Sequence, residues 1–422
     1  MSARTRELFA LIPAALLVTA GFTAVFIQRN NLLSNVSLTV GAVFLGLCVV
    51  AHFVIRATVP YADPYLFPLA AVLACFGLVM IYRIDEDLAR QQAEWFVVGL
   101  ILFAGTIVAF RDPSRLERYR YVIASLGLFL LILPRVPGIG AQVNGAYLGI
   151  KLGPITFQPA EFAKICIVVF LASYLRDTRQ VLARGFSLKH LGPLLVVWGA
   201  AMLLLFVIKD IGSSLMFFGG FLAILYVATN RLSFVLGGLG LFGFGAWAVS
   251  NGVGHIHDRV QAWLHPFEPD LYNKVGGSYQ VAQGLFAQAD GGVPGAGFGQ
   301  SILSQGGHPI LPAPQTDLIY AVIVNELGLI GAVGLLAIYL LFVERGFKIA
   351  MLARDSFSKL LAVGLTSVFA LQVFVIVGGV TRVIPLTGVT LPLVSYGGSS
   401  ILANFVLLAL LLVVSNKARQ PA

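Results

Sequence analysis

The chain has 422 residues, of which 58% are hydrophobic and only 11% are charged, and its formal net charge is +9. Soluble domains carry about 25% charged residues, so this composition excludes an ordinary water-soluble protein. The apolar residues form blocks of about 17–25, the length of helix that crosses the hydrocarbon core of a bilayer. Because backbone groups in lipid must be paired within their own segment, we predict an all-α, polytopic integral membrane protein.

The apolar blocks predict about twelve membrane-spanning helices. In chain order the predicted spans are 8–28, 36–58, 66–83, 94–110, 120–134, 161–175, 191–208, 213–229, 233–250, 318–343, 358–380 and 398–415. The segment Tyr61-Ala62-Asp63-Pro64 marks a break before the third span. We therefore predict two additional N-terminal helices in residues 1–60 and a core in residues 61–422.

The positive charge predicts the orientation of these spans. Lysine and arginine concentrate in the cytoplasmic loops of membrane proteins, so the basic balance requires no nucleic acid as a partner. If the N-terminus is cytoplasmic, most of the 28 basic residues fall on that side. Both termini are then expected in the cytoplasm.

Three stretches rich in glycine, proline and polar residues fall on the opposite side. They cover about 135–160, 251–317 and 381–398, and the second is by far the longest. Within it, apolar residues between Tyr279 and Ala289 recur at helical spacing, which predicts a short helix along the membrane interface. A long loop with its own pattern is more often functional than a spacer.

Charged side chains near membrane depth are costly and are therefore candidates for function. They gather at the outer side of the predicted bundle: Glu161, Lys164, Lys209, Asp210, Asp317, Glu326 and Arg382. Each also has a structural interpretation. Glu161 and Lys164, three residues apart, can neutralise each other on one helix face. Asp317 can cap a helix N-terminus, and Arg382 can extend to the interface. From these residues alone, a transporter and a membrane enzyme both fit.

Four segments resemble one known family. Residues 387–400 read Thr-Gly-Val-Thr-Leu-Pro-Leu-Val-Ser-Tyr-Gly-Gly-Ser-Ser, and residues 157–164 read Phe-Gln-Pro-Ala-Glu-Phe-Ala-Lys. Residues 316–320 and 325–328 read Thr-Asp-Leu-Ile-Tyr and Asn-Glu-Leu-Gly, and the loop contains Tyr279-Gln280, Gln283 and Gly291-Gly292. In their order these motifs resemble the SEDS family, the bacterial cell-shape, division and sporulation proteins RodA, FtsW and SpoVE. The two extra N-terminal helices are similar to those of actinobacterial members of the RodA branch.

The resemblance implies a peptidoglycan glycosyltransferase. Such an enzyme polymerises lipid II, an undecaprenyl-linked disaccharide peptide, at the outer face of the bacterial cytoplasmic membrane during elongation or division. Members work with a class B penicillin-binding protein. The family's essential aspartate falls on Asp317, which is therefore the expected catalytic residue. The expected substrate-binding residues are Gln158, Glu161, Lys164, Lys209, Arg382, Ser395, Tyr396 and Ser399.

The expected chemistry places no certain demand on a cofactor. A carboxylate at Asp317 can act as general base on a sugar hydroxyl, while Lys164, Lys209 and Arg382 are candidates to bind the departing diphosphate. A divalent cation such as Mg²⁺ or Mn²⁺ could share that task, although no metal ligands are assigned.

Two segments depart from the family pattern. Asn144-Gly145-Ala146 is followed by Tyr147-Leu148-Gly149 where members commonly have basic and aromatic residues, and Lys209-Asp210-Ile211-Gly212-Ser213-Ser214 differs from Pro-Asp-Leu-Gly-Thr-Ser. Two other functions remain open, namely a lipid-precursor flippase or other transporter, and a non-catalytic scaffold for a penicillin-binding protein.

Overall fold

The computed structural model describes residues 2–30, 35–143, 146–153, 155–185, 187–252, 254–274, 276–305 and 308–421. In these residues the protein is a bundle of long apolar helices. The helices are α1 (Ala3–Ala10), α2 (Ile12–Asn30), α3 (Asn35–Thr58), α4 (Leu66–Ile84), α5 (Glu86–Ala109), α6 (Ser114–Arg118), α7 (Arg120–Ile132), α8 (Ala160–Arg184), α9 (Leu188–Ile208), α10 (Ile211–Thr229), α11 (Leu232–Gly252), α12 (Gly254–Leu264), α13 (Pro269–Tyr272), α14 (Tyr279–Gly291), α15 (Ile319–Leu352), α16 (Ser356–Val380) and α17 (Gly398–Arg419).

The prediction of an all-α polytopic membrane protein is confirmed. Among the described residues, nine helical segments are long and apolar enough to cross a membrane: α1 with α2, α3, α4, α5, α9, α10, α15, α16 and α17. Three further predicted spans fall on α7, α8 and α11. α7 has only 13 residues, and α8 carries several charged residues in its C-terminal half, so neither is uniformly apolar over a full span. The total of twelve stays a prediction.

Polar caps explain where several helices begin. Asp85 precedes α5, and its Oδ1 accepts a hydrogen bond from Leu88 N at 3.0 Å, which satisfies one of the unpaired donors of the first turn. Glu86 and Asp87 add negative charge there, where the helix dipole favours it. These polar residues belong to the helix, so α5 begins eight residues before the apolar run suggests.

The centre of the bundle is α17, because 89% of its apolar window is buried by neighbouring helices. It packs against α4, α5, α8, α15 and α16. Small residues allow close approach: a Cβ at Gly77 of α4 would lie 2.5 Å from the carbonyl oxygen of Val394, just before α17. Close backbone contact of this kind is a main source of helix association in lipid, where water does not drive apolar surfaces together.

The N-terminal helices lie on one side of this core. α2 packs against α3 and α4, and α3 packs against α5. Buried Glu7 of α1 pairs with Arg4 and lies 2.8 Å from Nδ1 of His52 in α3, while Arg4 donates to the carbonyl oxygen of Ala62. Two helices that were predicted as an addition are thus tied to the residues that precede α4. The division at residue 60 itself stays a prediction.

Short elements connect the helices on the side that carries the long loop. A 3-10 turn (Leu133–Arg135) leads into a three-stranded antiparallel sheet of β1 (Gly140–Val143), β2 (Ala146–Leu152) and β3 (Ile155–Phe157). β4 (Ser304–Gln305) pairs with β5 (His308–Pro309). The short helix predicted in the long loop is confirmed as α14, which packs along α15.

Candidate active site

A large cavity lies where the loop helices meet the ends of the long helices. Its volume is about 1540 Å³. The described residues that line it include parts of α5, α8, α12 and α14, the turn between α9 and α10, the residues just before α15, and residues 386–390 and 396–400. Its charged lining consists of Glu94, Glu161, Lys209, Asp210, Asp258, Arg259, Lys274 and Asp317. A polar, mixed-charge cavity this large can accommodate more than one sugar unit.

Asp317 lies in the wall of this cavity, two residues before α15 begins. Its Oδ1 accepts a hydrogen bond from Thr316 Oγ1 at 2.9 Å. Its Oδ2 lies over Gly388, where the backbone has a φ of +72° and a Cβ would be 3.8 Å from that oxygen. Burial raises the pKa of Asp317 above its ordinary value, while the Thr316 hydrogen bond and the charge of Arg259 oppose the rise.

Residues 387–400, which we call the signature segment, hold Asp317 in place. Ser395 Oγ donates to the carbonyl oxygen of Thr316 at 2.6 Å, and Tyr396 N donates to the carbonyl oxygen of Gln315 at 2.8 Å. These bonds fix the two residues before Asp317 from a different part of the chain. Ser395 is buried and acts on the backbone from behind the wall, whereas Tyr396 also lines the cavity.

The start of α17 forms another part of the wall. Ser399 Oγ accepts a hydrogen bond from Gln158 N at 2.7 Å, and both residues line the cavity. Trp95 packs so tightly on Gly398 that a Cβ there would lie 2.4 Å from the indole ring, so this position requires glycine. The helix therefore begins inside the wall, and the dipole at a helix N-terminus favours negative charge.

Lys209 and Asp210 form the turn between α9 and α10, and both line the cavity. Lys209 ends α9 in the left-handed conformation, with a φ of +64°. Asp210 caps α10, since its carboxylate accepts bonds from Ser213 N at 2.9 Å and Ser213 Oγ at 2.7 Å. Burial raises the pKa of Asp210, and the negative charge of nearby Glu161 raises it further. The hydrogen bonds from Ser213 and the positive charge of Arg259 lower it.

Glu161 and Lys164 form the ion pair that their spacing predicts. Lys164 Nζ lies 2.5 Å from Glu161 Oε2 and donates to Gln372 Oε1 at 2.6 Å. Gln372 Nε2 in turn donates to the carbonyl oxygen of Thr390, in the signature segment, at 3.0 Å. Glu161 lines the cavity, but buried Lys164 lies behind the wall. The Lys164 ammonium is thus already paired inside the protein.

Arg382 lies away from the cavity lining as well. Its Nε and Nη2 donate to the carbonyl oxygens of Trp263 and Leu264, each at 2.8 Å, and Trp263 Nε1 donates back to the Arg382 carbonyl at 3.0 Å. The side chain therefore joins the end of α12 to the turn after α16. In the structure this guanidinium binds the backbone at the end of α12. Its expected contact with diphosphate stays a prediction.

Four charged residues of the cavity lining are absent from the residues predicted from the sequence, namely Glu94, Asp258, Arg259 and Lys274, and Arg259 is the one closest in role to a phosphate ligand. It lies on α12, lines the cavity, and lies near both Asp210 and Asp317, whose charges act on it. Burial lowers its pKa, and those two carboxylates oppose the change. A charged residue is unusual within an apolar span but ordinary in a polar loop, so the sequence does not single out Arg259. Its position on α12 beside the cavity does.

Within the described ranges, no three histidine, cysteine, aspartate or glutamate residues form a group arranged to hold a metal ion. The described residues therefore assign no ligands to a divalent cation that could share the binding of the diphosphate.

Of the segment that departs from the family pattern, Asn144 and Gly145 lie outside the described residues. Tyr147 lies under the guanidinium of Arg135, 4.3 Å from ring centroid to Cζ, and Leu148 lines the cavity.

Comparison with known proteins identifies the family. The model of the cell cycle protein family FtsW/RodA/SpoVE matches residues 64–420. The chain belongs to this family. It is 39% identical to the peptidoglycan glycosyltransferase RodA of Mycobacterium tuberculosis strain H37Rv over 440 aligned residues, which cover 99% of this chain and 92% of that protein. It is 33% identical to stage V sporulation protein E of Bacillus subtilis strain 168, over 85% of this chain and 98% of that protein.

A solved structure shares this architecture. It is described as the structural coordination of polymerization and crosslinking by a peptidoglycan synthase complex. The matched chain is 28% identical, with a TM-score of 0.71, and the match covers 85% of this chain and 99% of that chain. The resemblance inferred from the sequence motifs is therefore confirmed, and so is the fold class.

Proposed function

We propose that this chain is a peptidoglycan glycosyltransferase that polymerises lipid II into glycan strands. The observation that carries the proposal is the partly buried carboxylate of Asp317 in the wall of a large cavity with a mixed-charge lining, with Arg259 near it. The relatives named peptidoglycan glycosyltransferase RodA support the reaction class. Their match over nearly the whole chain also favours a RodA-type role in elongation over division.

The reaction joins two lipid-linked disaccharides. The GlcNAc 4-hydroxyl oxygen of one unit attacks the MurNAc anomeric carbon of the other, so a new C–O bond forms as the bond to undecaprenyl diphosphate breaks. The Asp317 carboxylate accepts the hydroxyl proton, and the diphosphate leaves with the bonding electron pair. A direct displacement inverts the anomeric centre and converts an α-linked donor into a β-linked strand. Diphosphate is a good leaving group, so no protein acid is needed on that side.

Burial suits Asp317 to this task. A general base works best when its pKa lies near the operating pH, because a stronger base accepts the proton more readily once it is ionised. An ordinary aspartate is a weak base at neutral pH, and burial raises its pKa toward the useful range. The hydrogen bonds that the signature segment makes to Thr316 and Gln315 fix the carboxylate without consuming its second oxygen.

Cations in the same wall suit the departing diphosphate. Arg259 and Lys209 both line the cavity, and guanidinium groups bind phosphate oxygens through paired, charge-assisted hydrogen bonds. The N-terminus of α17 adds a favourable dipole nearby. Arg259, which lines the cavity, is therefore the first cation to test as a diphosphate ligand, ahead of Lys164 and Arg382, which do not.

The cavity is proposed to face the outer side of the bacterial cytoplasmic membrane, with both termini in the cytoplasm. The basic residues of the loops opposite the cavity support this orientation. We also propose a class B penicillin-binding protein as partner, since the structural relative belongs to a complex described as coordinating polymerization with crosslinking.

A polymerisation assay tests the function. Purified protein in lipid nanodiscs, with and without the partner, receives lipid II, and glycan strands are separated by length. Wild type and the matched control Asp270→Asn, an exposed aspartate of α13, should form strands, whereas Asp317→Asn should not. Lipid II translocation in vesicles without polymer would instead support a flippase, and normal growth of cells that carry only Asp317→Asn would support a scaffold.

A further inference from the structure

Another buried charge pair lies away from the cavity lining and has no part in the chemistry above. Arg83 in the last turn of α4 lies 3.0 Å, Nη2 to Oε1, from Glu326 in α15. The Glu326 side chain is fully buried and that of Arg83 is 13% exposed. Burying two charges costs several kcal/mol per ion before their attraction offsets it. Such a pair therefore calls for a role that an apolar pair could not supply.

Both members of the pair bind the same stretch of loop. Arg83 Nη2 donates to the carbonyl oxygens of Gly299 and Ser301, each at 2.9 Å. Glu326 Oε2 accepts a hydrogen bond from Gly299 N at 2.9 Å. One ion pair thus satisfies donors and acceptors of the backbone between α14 and β4. Two leucines in these positions could not make these bonds.

The same stretch also fills a break in α15. Gly328 has non-helical angles, φ +66° and ψ −169°, which interrupts the helix and frees its backbone groups. Ala296 N and Gly297 N donate to the carbonyl oxygens of Asn325 and Glu326 at 2.8 and 3.1 Å. Unpaired backbone groups at membrane depth are costly, so the loop completes the hydrogen bonding of the broken helix.

Glycines make this fit possible. A Cβ at Gly295 would lie 2.2 Å from the Glu326 carbonyl oxygen, and one at Gly328 would lie 2.2 Å from the Val293 carbonyl oxygen. Residues 292–301, which we call the inserted segment, therefore pack backbone to backbone against α15. The segment begins directly after α14, whose first residues Tyr279, Gln280 and Val281 line the cavity.

We propose that Arg83 and Glu326 are positioning residues that fix the inserted segment and, through it, hold α14 as a wall of the substrate cavity. The inference rests on the proposed glycosyltransferase function for its kinetic consequence only. A displaced α14 changes the shape of the cavity, so lipid II binds less well, while Asp317 keeps the hydrogen bond that it accepts from Thr316. The expected signature is a raised KM with a smaller change in kcat.

The test compares Arg83→Met, Arg83→Lys and the double variant Arg83→Met/Glu326→Leu with wild type. Arg111→Met, at an exposed arginine after α5, is the matched control. The double variant removes the buried charges together, so it should recover most of the thermal stability that the single Met variant loses. It cannot restore the bonds to Gly299 and Ser301, so amide hydrogen exchange across the inserted segment should stay fast.

In the polymerisation assay, KM for lipid II should rise by about tenfold in both Met-containing variants, as expected for a misplaced cavity wall. Arg83→Lys, which keeps a cation and its donors, should recover part of both readouts, and Arg111→Met should match wild type. Wild-type exchange and KM in the double variant would overturn the proposal. Absence of polymer from the wild-type protein would count against the glycosyltransferase, whereas the exchange experiment would still decide whether the pair holds the segment.

Discussion

Arg259 and Asp317 act on each other's charge across the cavity wall, although one lies on a loop helix and the other just before a long membrane helix. Burial raises the pKa of Asp317 and lowers that of Arg259, and each opposes the shift of the other. The base and the cation of the proposed reaction are therefore electrostatically linked. Changing the arginine should alter how the aspartate titrates.

The pH dependence of polymerisation should show this link. Asp317 must be ionised to accept a proton, so kcat/KM should fall as pH drops through its pKa. Burial raises that pKa above the ordinary aspartate value of 3.8. Arg259→Met removes a charge that holds the pKa down, so the acidic limb should move to higher pH. Lys274→Met is the control, because that lysine lines the cavity but pairs with Asp258. An unmoved limb in Arg259→Met would contradict the link.

Arg259 should also bind substrate. Removing a partly buried guanidinium that binds a phosphate costs about 2–3 kcal/mol, so kcat/KM of Arg259→Met should fall about 30–150-fold at the pH optimum. Arg259→Lys keeps the charge but loses the forked geometry, so its kcat/KM should lie between those of wild type and Arg259→Met. Kinetics with lipid II measure both. Equal activities of Arg259→Lys and Arg259→Met would argue that charge is not the property used here.

Asp317→Asn should separate stability from activity. A carboxyl group with a raised pKa favours the folded state while it is protonated, and this contribution is lost as pH rises through the folded pKa. At neutral pH the neutral amide avoids that loss. The inactive variant should therefore unfold at a temperature equal to or above that of wild type, with the difference shrinking in acid. A large drop in unfolding temperature would mean that Asp317 serves the fold.

Two aspartates with the same local structure provide a matched pair. Asp210 caps α10 through Ser213, and Asp355 caps α16 through Ser358 N at 2.9 Å and Ser358 Oγ at 2.8 Å. Alanine at either position should cost about 1 kcal/mol of stability through the lost cap. Only Asp210 lines the cavity, so only Asp210→Ala should lower the rate of polymerisation. Equal effects of both on the rate would assign Asp210 to the fold alone.

Lys164→Met should be among the most destabilising single changes. It leaves the buried Glu161 carboxylate without its ion partner, which costs about 3–5 kcal/mol. Glu161→Gln/Lys164→Met removes both charges and should recover most of the loss. Lys189→Met, at an exposed lysine of α9, is the control. Thermal unfolding in detergent measures all three, and a fully stable Lys164→Met would mean that the pair contributes little.

Much of this arrangement could be predicted from the sequence. The positions of most helices follow from apolar length, since the cost of burying charge in lipid keeps most residues of a span uncharged. The Glu161–Lys164 pair follows from helical spacing, which places the two on one face. The loop helix α14 follows from the same periodicity within a polar loop.

Other features could not be predicted from the sequence. Ser395 reaches the carbonyl of Thr316 only because two distant segments cross at one point, and no local pattern shows that crossing. Arg382 has the charge expected of a phosphate ligand, but its two backbone partners belong to α12. Arg259 lies in a polar loop, where a charged residue has no hydropathic contrast to reveal it.

The most enclosed helix of the bundle, α17, is also the last of the described helices to leave the ribosome. The helices that surround α17 are therefore synthesised before the helix against which they all pack. Their inward faces are temporarily covered by lipid or by one another. Among the described helices, α17 inserts after the ones that enclose it, and its insertion also brings the signature segment against Asp317 in the cavity wall.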